Sequence, residues 1–142
     1  MKTTLTINDL DKRAKLSSLW VFVFLNMIFR DLHQFGHAGF IEEMMTGIVN
    51  GVQITEGLML VGGVMIAIPL LMIPLIQFLN FKANRLTNLF IGVLQIVSTI
   101  GNNMTPDLDD IFFLVIEIAA LLLVIWYTWK WSNPELSSEN RI

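Results

Sequence analysis

The stretch TEGLMLVGGVMIAIPLLMIPLIQFL, residues 55–79, decides the fold, because it is almost purely apolar after its second residue. A helix rises 1.5 Å per residue, so about 20 residues cross the roughly 30 Å hydrocarbon core of a bilayer. This segment is therefore predicted to be a transmembrane helix. A β-barrel strand would be half as long and would alternate apolar with polar residues, which this stretch does not.

Three further windows have the length of a span but carry more polar residues. SSLWVFVFLNMIFRDLHQF is the most polar, LTNLFIGVLQIVSTIGNN contains amides and hydroxyls without charge, and DIFFLVIEIAALLLVIWYTWKW encloses one carboxylate. We predict an all-α protein, an integral membrane four-helix bundle. Residues 1–142 then form a single membrane domain with spans at about 17–35, 55–79, 86–103 and 110–131, followed by a polar, disordered tail at 132–142.

Composition supports lipid as the solvent. Hydrophobic residues make up 54% of the chain and charged residues 15%, with a mean hydropathy of +0.64, which exceeds the usage of soluble domains. The net charge of -3 gives no indication of a nucleic-acid partner. The absence of cysteine excludes disulfides, thiolate metal ligands, iron-sulfur clusters and CxxC redox chemistry.

The distribution of basic residues predicts the orientation, since flanking Lys and Arg stay in the cytoplasm. The N-terminal segment, the FKANR connection and the C-terminal end are basic, whereas connections 36–54 and 104–109 contain acidic residues and no Lys or Arg. Both termini are therefore predicted to be cytoplasmic in a multi-pass protein of the cytoplasmic (inner) membrane. Trp20 and the Trp-rich end of the fourth span are interpreted as interface anchors.

Ionisable residues inside a span are costly, so they normally face a bundle interior and find a partner. From the helical rise, Arg30 in the first span and Glu117 in the fourth are expected at similar depths, which allows an ion pair between them. The third span adds a face of amides around Gln95. We predict a ligand or proton site in the outer half, formed by Asn26, Arg30, His33, Glu56, Gln95 and Glu117. A structural network that fixes helix register fits the same residues equally well.

His33 and His37, four residues apart, could both face one metal or haem iron. A third ligand is not evident from their spacing, so we predict neither a metal nor a cofactor. The outer loop that follows contains GFIEEMMTGI, whose apolar residues share one side of a helix. This pattern predicts a short amphipathic helix, which is either a lid over the polar residues or a plain connection.

The run MIAIPLLMIPLIQFLNFKANRLTNLFIG, followed by IFFLVIEIAALLLVIWYTWKW, resembles a family of short bacterial membrane proteins of unknown function, domain of unknown function 6326. The resemblance extends from about Leu16 to Pro134 and is most specific at the AIP of the second span, the NR turn at Asn84 and Arg85, and the WYTWKW ending. It implies a four-helix fold and leaves the activity unassigned.

The leading hypothesis is a non-enzymatic bundle that binds or transports a small molecule or a proton. One alternative is a structural or regulatory membrane subunit. Another is a membrane enzyme acting on a lipid or isoprenoid through His33 or Glu56, although GxSxG, HExxH and phosphate-binding motifs are absent from the sequence. The expected partners are the lipid bilayer, a small-molecule ligand and further copies of the chain.

Overall fold

A computed structural model describes residues 7–102 and 107–131, and this part of the chain is helical apart from one short hairpin. The predicted tail at 132–142 lies outside the described residues. The elements follow in the order α1 (Ile7–Gln34), α2 (Phe40–Thr46), β1 (Ile48–Val49), β2 (Val52–Gln53), α3 (Glu56–Phe78), α4 (Phe81–Asn102) and α5 (Leu108–Trp129).

The four long helices pack side by side. Helix α1 lies against both α3 and α5, and α4 lies against α5. Helices α3 and α4 contact each other less extensively, and the amide of Asn84 donates to the carbonyl of Ile76 at 2.7 Å. Two helices begin earlier than the spans predicted for them. Helix α1 begins ten residues before the predicted start at 17, and α4 begins five residues before the predicted start at 86. Charged and amide residues continue both helices beyond the apolar stretch that the sequence pattern detects.

Helices α3 and α5 are long and apolar enough to cross a membrane by their length and composition. Only 17% of the apolar window of α3 and 28% of that of α5 is buried inside the chain. A soluble protein buries its most apolar helices, so these exposures indicate membrane association. Within the described residues, α1 and α4 are not apolar enough to pass the same test of length and composition. Helix α4 buries amides, a hydroxyl and a glycine, and α1 carries charged residues near both of its ends.

The connection between α1 and α3 contains the predicted short helix, α2, and a hairpin that the sequence analysis did not predict. Strand β1 pairs antiparallel with β2 around Asn50 and Gly51, both of which have positive φ. An Asn-Gly pair in this conformation makes the two-residue turn that matches the twist of a hairpin. Helix α2 has no buried residue and packs against β1, so the arrangement favours the plain connection over a lid.

Candidate functional site

A charged cluster joins α1, α4 and α5. Nη1 of Arg30 lies 3.3 Å from Oε2 of Glu117, and the hydroxyl of Thr99 donates to Oε1 of Glu117 at 2.6 Å. The Glu117 side chain is fully buried, whereas that of Arg30 is 12% exposed. The amide of Gln95 lies within interaction range of the same carboxylate. The ion pair expected from the matching depths is therefore present.

The six residues predicted to share this site do not all meet. Asn26 is buried one turn before Arg30, and its amide donates to the carbonyl of Phe113 on α5 at 3.1 Å. His33 is turned outward and approaches Asp109 at 3.5 Å. The structure thus brings Arg30, Gln95 and Glu117 together, holds Asn26 beside them, and separates His33.

Glu56 is also outside the cluster. It is exposed in the first turn of α3, where Thr55 caps the helix by accepting a hydrogen bond from the backbone of Leu58. The buried residues of α3, which are Pro69, Met72 and Ile76, all lie in its second half. Because residues 56–64 of α3 are all exposed, its acidic first turn lies away from the buried Glu117.

Helix α4 presents an almost entirely polar face to the interior. Its buried residues are Asn84, Asn88, Gly92, Gln95 and Thr99, spaced by four, four, three and four. Trp20 donates its indole N–H to Oδ1 of Asn88 at 2.7 Å, and Trp20 is fully buried. The interpretation of Trp20 as an interface anchor is therefore wrong: it lies thirteen residues into α1, well inside the helix.

At its other end the polar face of α4 lies close to Arg13, which is buried. Asn84 and Arg13 donate to the same carbonyl, that of Ile76. The sequence analysis used the basic N-terminal segment only to predict the orientation in the membrane. Nη1 of Arg13 donates to the carbonyls of Ile76 and Leu79 at 2.6 and 2.9 Å, and Nε pairs with Asp9 at 2.8 Å. The last carbonyls of a helix lack internal partners and carry a partial negative charge. Arg13 therefore holds the C-terminal end of α3 against α1. Its spacing of four from Asp9 was the available sequence signal.

An open groove runs along the exposed side of α1, next to α5. Its volume is about 500 Å³, and it is apolar except for two of the predicted site residues. It is lined by Phe22, Leu25, Asn26, Phe29, Leu32, His33 and Phe113. The groove could accept a hydrocarbon chain, with Asn26 and His33 as its polar contacts.

No curated protein and no solved structure is similar enough to this chain to be matched. A family model matches residues 5–138, almost the full length, in agreement with the resemblance noted from the AIP, NR and WYTWKW motifs. The chain belongs to the family of unknown function DUF6326.

Proposed function

We propose that the chain is a multi-pass protein of the cytoplasmic membrane in which α1, α3, α4 and α5 all cross the bilayer, with both termini inside. The support comes from the distribution of polarity. In α4 the buried positions are polar or glycine, while the exposed ones include Leu86, Phe90 and Val97. A helix with its polar face inward and its apolar face outward is suited to lipid, not to water.

Within this bundle, the function that the geometry supports best is binding or transport of a small molecule or a proton at the Arg30–Glu117 cluster. One observation supports it above the others: Glu117 is a fully buried carboxylate held by one cation and one hydroxyl on two other helices. A proton on Glu117 would release Arg30, which has Asp31 as a second acidic neighbour at 3.8 Å. Protonation and deprotonation of Glu117 would thereby break and re-form the ion pair between α1 and α5.

Reconstitution into liposomes tests this function. With an imposed pH gradient and a pH-sensitive dye inside, the wild-type protein should dissipate the gradient faster than empty liposomes. The E117Q variant keeps the shape and the hydrogen bond to Thr99 but cannot carry a proton, so its rate should fall to that of empty liposomes. E42Q, which changes an exposed carboxylate on α2, serves as the matched control. Equal rates for wild type and E117Q would contradict proton transport.

A second function is favoured by the groove beside Asn26 and His33, namely binding of an amphiphile such as a lipid or isoprenoid. Native mass spectrometry from mild detergent should then show a retained apolar molecule that is lost in F29W, which fills the groove. A protein partner retained at fixed stoichiometry would instead favour the structural or regulatory subunit.

A further inference from the structure

Two imidazoles and a carboxylate converge at the outer end of α1. Nε2 of His37 lies 3.1 Å and Nε2 of His33 lies 3.5 Å from the same atom, Oδ2 of Asp109. Both histidines of the chain are in this group. The three side chains come from two separate segments, since His33 is in the last turn of α1, His37 follows the end of that helix, and Asp109 is in the first turn of α5.

These distances suit a metal ion. The potential ligand atoms of the three residues all lie within 4.8 Å of one another. In a tetrahedral site with bonds of 2.0 to 2.2 Å, neighbouring ligand atoms are about 3.3 Å apart. The two nitrogen-to-oxygen distances, 3.5 and 3.1 Å, already match this spacing.

A second carboxylate, that of Asp107, lies near the other ring nitrogen of His37. Oδ2 of Asp107 lies 3.7 Å from Nδ1 of His37, on the side of the ring opposite to Asp109. A metal-bound histidine commonly gives its other ring N–H to a carboxylate, which fixes the tautomer and the ring orientation. Asp107 is placed for this role.

We propose that His33, His37 and Asp109 bind a divalent transition-metal ion, with Zn²⁺ as the representative, and that Asp107 orients His37. Imidazole and carboxylate ligands suit Zn²⁺, Ni²⁺ and Cu²⁺, whereas Mg²⁺ and Ca²⁺ require more oxygen ligands. The side chains are 56%, 40% and 28% exposed, so water or a further ligand has access to the open positions. This site is separate from the Arg30–Glu117 cluster, and the inference does not rest on the proposed function.

Titration of the full-length protein with Zn²⁺ in detergent tests the site, after removal of any histidine tag and of bound metal. Calorimetry should show one Zn²⁺ per chain, unaffected by excess Mg²⁺ or Ca²⁺. H33A, H37A and D109N should each weaken binding at least about 100-fold, and D107N about 10- to 100-fold. The control variant E42Q, which changes the exposed Glu42 on the neighbouring helix α2, should leave binding unchanged.

The ligand variants also separate metal binding from a simple hydrogen-bonded latch between α1 and α5. If the residues form a metal site, Zn²⁺ should raise the unfolding temperature of the wild type and of E42Q but not of H37A or D109N. If they form only a latch, the same variants lose stability without metal and Zn²⁺ has no effect on any of them. Absence of Zn²⁺ binding, or equal binding by wild type and H33A/H37A, would overturn the proposal.

Discussion

Arg30 and Glu117 form an ion pair between α1 and α5 in which the acid is fully buried and the base is 12% exposed. Loss of the base leaves a buried charge, whereas loss of the acid leaves an arginine that has Asp31 nearby. We therefore expect R30Q to lower the free energy of unfolding by about 3 kcal/mol, and E117Q by about half of that. Reversible unfolding in mixed detergent and SDS measures both.

The double variant R30Q/E117Q provides the control for this pair. It removes both charges at once, so it should be more stable than R30Q alone. Strictly additive effects of the two substitutions would show that the two side chains do not interact.

Trp20 and Asn88 are expected to matter for stability because their hydrogen bond of 2.7 Å is buried. W20F removes the donor and leaves the Asn88 oxygen without it, which should cost about 1–3 kcal/mol. W129F changes a residue that is 66% exposed and should cost less than about 0.5 kcal/mol. The same unfolding titration compares them, and equal losses would contradict a buried role for Trp20.

Arg13 should be far more important than its neighbour Lys15. R13A removes the cation that binds the final carbonyls of α3, with an expected cost of about 2–4 kcal/mol. K15A breaks an ion pair with Asp11 in which both side chains are about half exposed, so it should cost less than about 0.5 kcal/mol. A destabilisation by K15A as large as that by R13A would disagree with the described packing.

Gly92 marks the close approach of α4 and α5. A Cβ at this position would lie 3.1 Å from Cγ1 of Ile125, whereas one at Gly63 would meet no atom within 4 Å. G92L should therefore destabilise the protein by about 1–3 kcal/mol, and I125A should restore part of the loss. G63L is the matched control and should be tolerated, a result that unfolding titrations of the three variants would establish.

The sequence predicts those parts of the molecule that depend on local pattern. Apolar composition identifies α3 and α5, and the helical rise places Arg30 opposite Glu117. The Asn50-Gly51 turn could also have been predicted from local pattern, because Asn-Gly is a strong hairpin signal.

The contacts that were missed depend on tertiary structure. Asp109 is 72 residues from His37, and no local spacing predicts that the start of α5 will lie beside the end of α1. Glu56 was placed in the cluster on depth alone, and depth does not show that residues 56–64 of α3 stay outside the interior. Trp20 was interpreted from its position near the start of an apolar run, but the helix begins ten residues before the predicted span and Trp20 is buried against Asn88.

The central claim, that four helices cross the membrane, is tested most directly by single cysteines in this naturally cysteine-free chain. Exposed positions are available near each helix end, namely Asp11, Glu42, Asn80 and Asn102. Intact cells are labelled with a membrane-impermeant maleimide before and after permeabilisation. Four spans predict labelling of E42C and N102C in intact cells, and of D11C and N80C only after permeabilisation. If α3 and α5 alone crossed the bilayer, positions 11 and 42 would label together on one side and 80 and 102 together on the other, which would contradict the account.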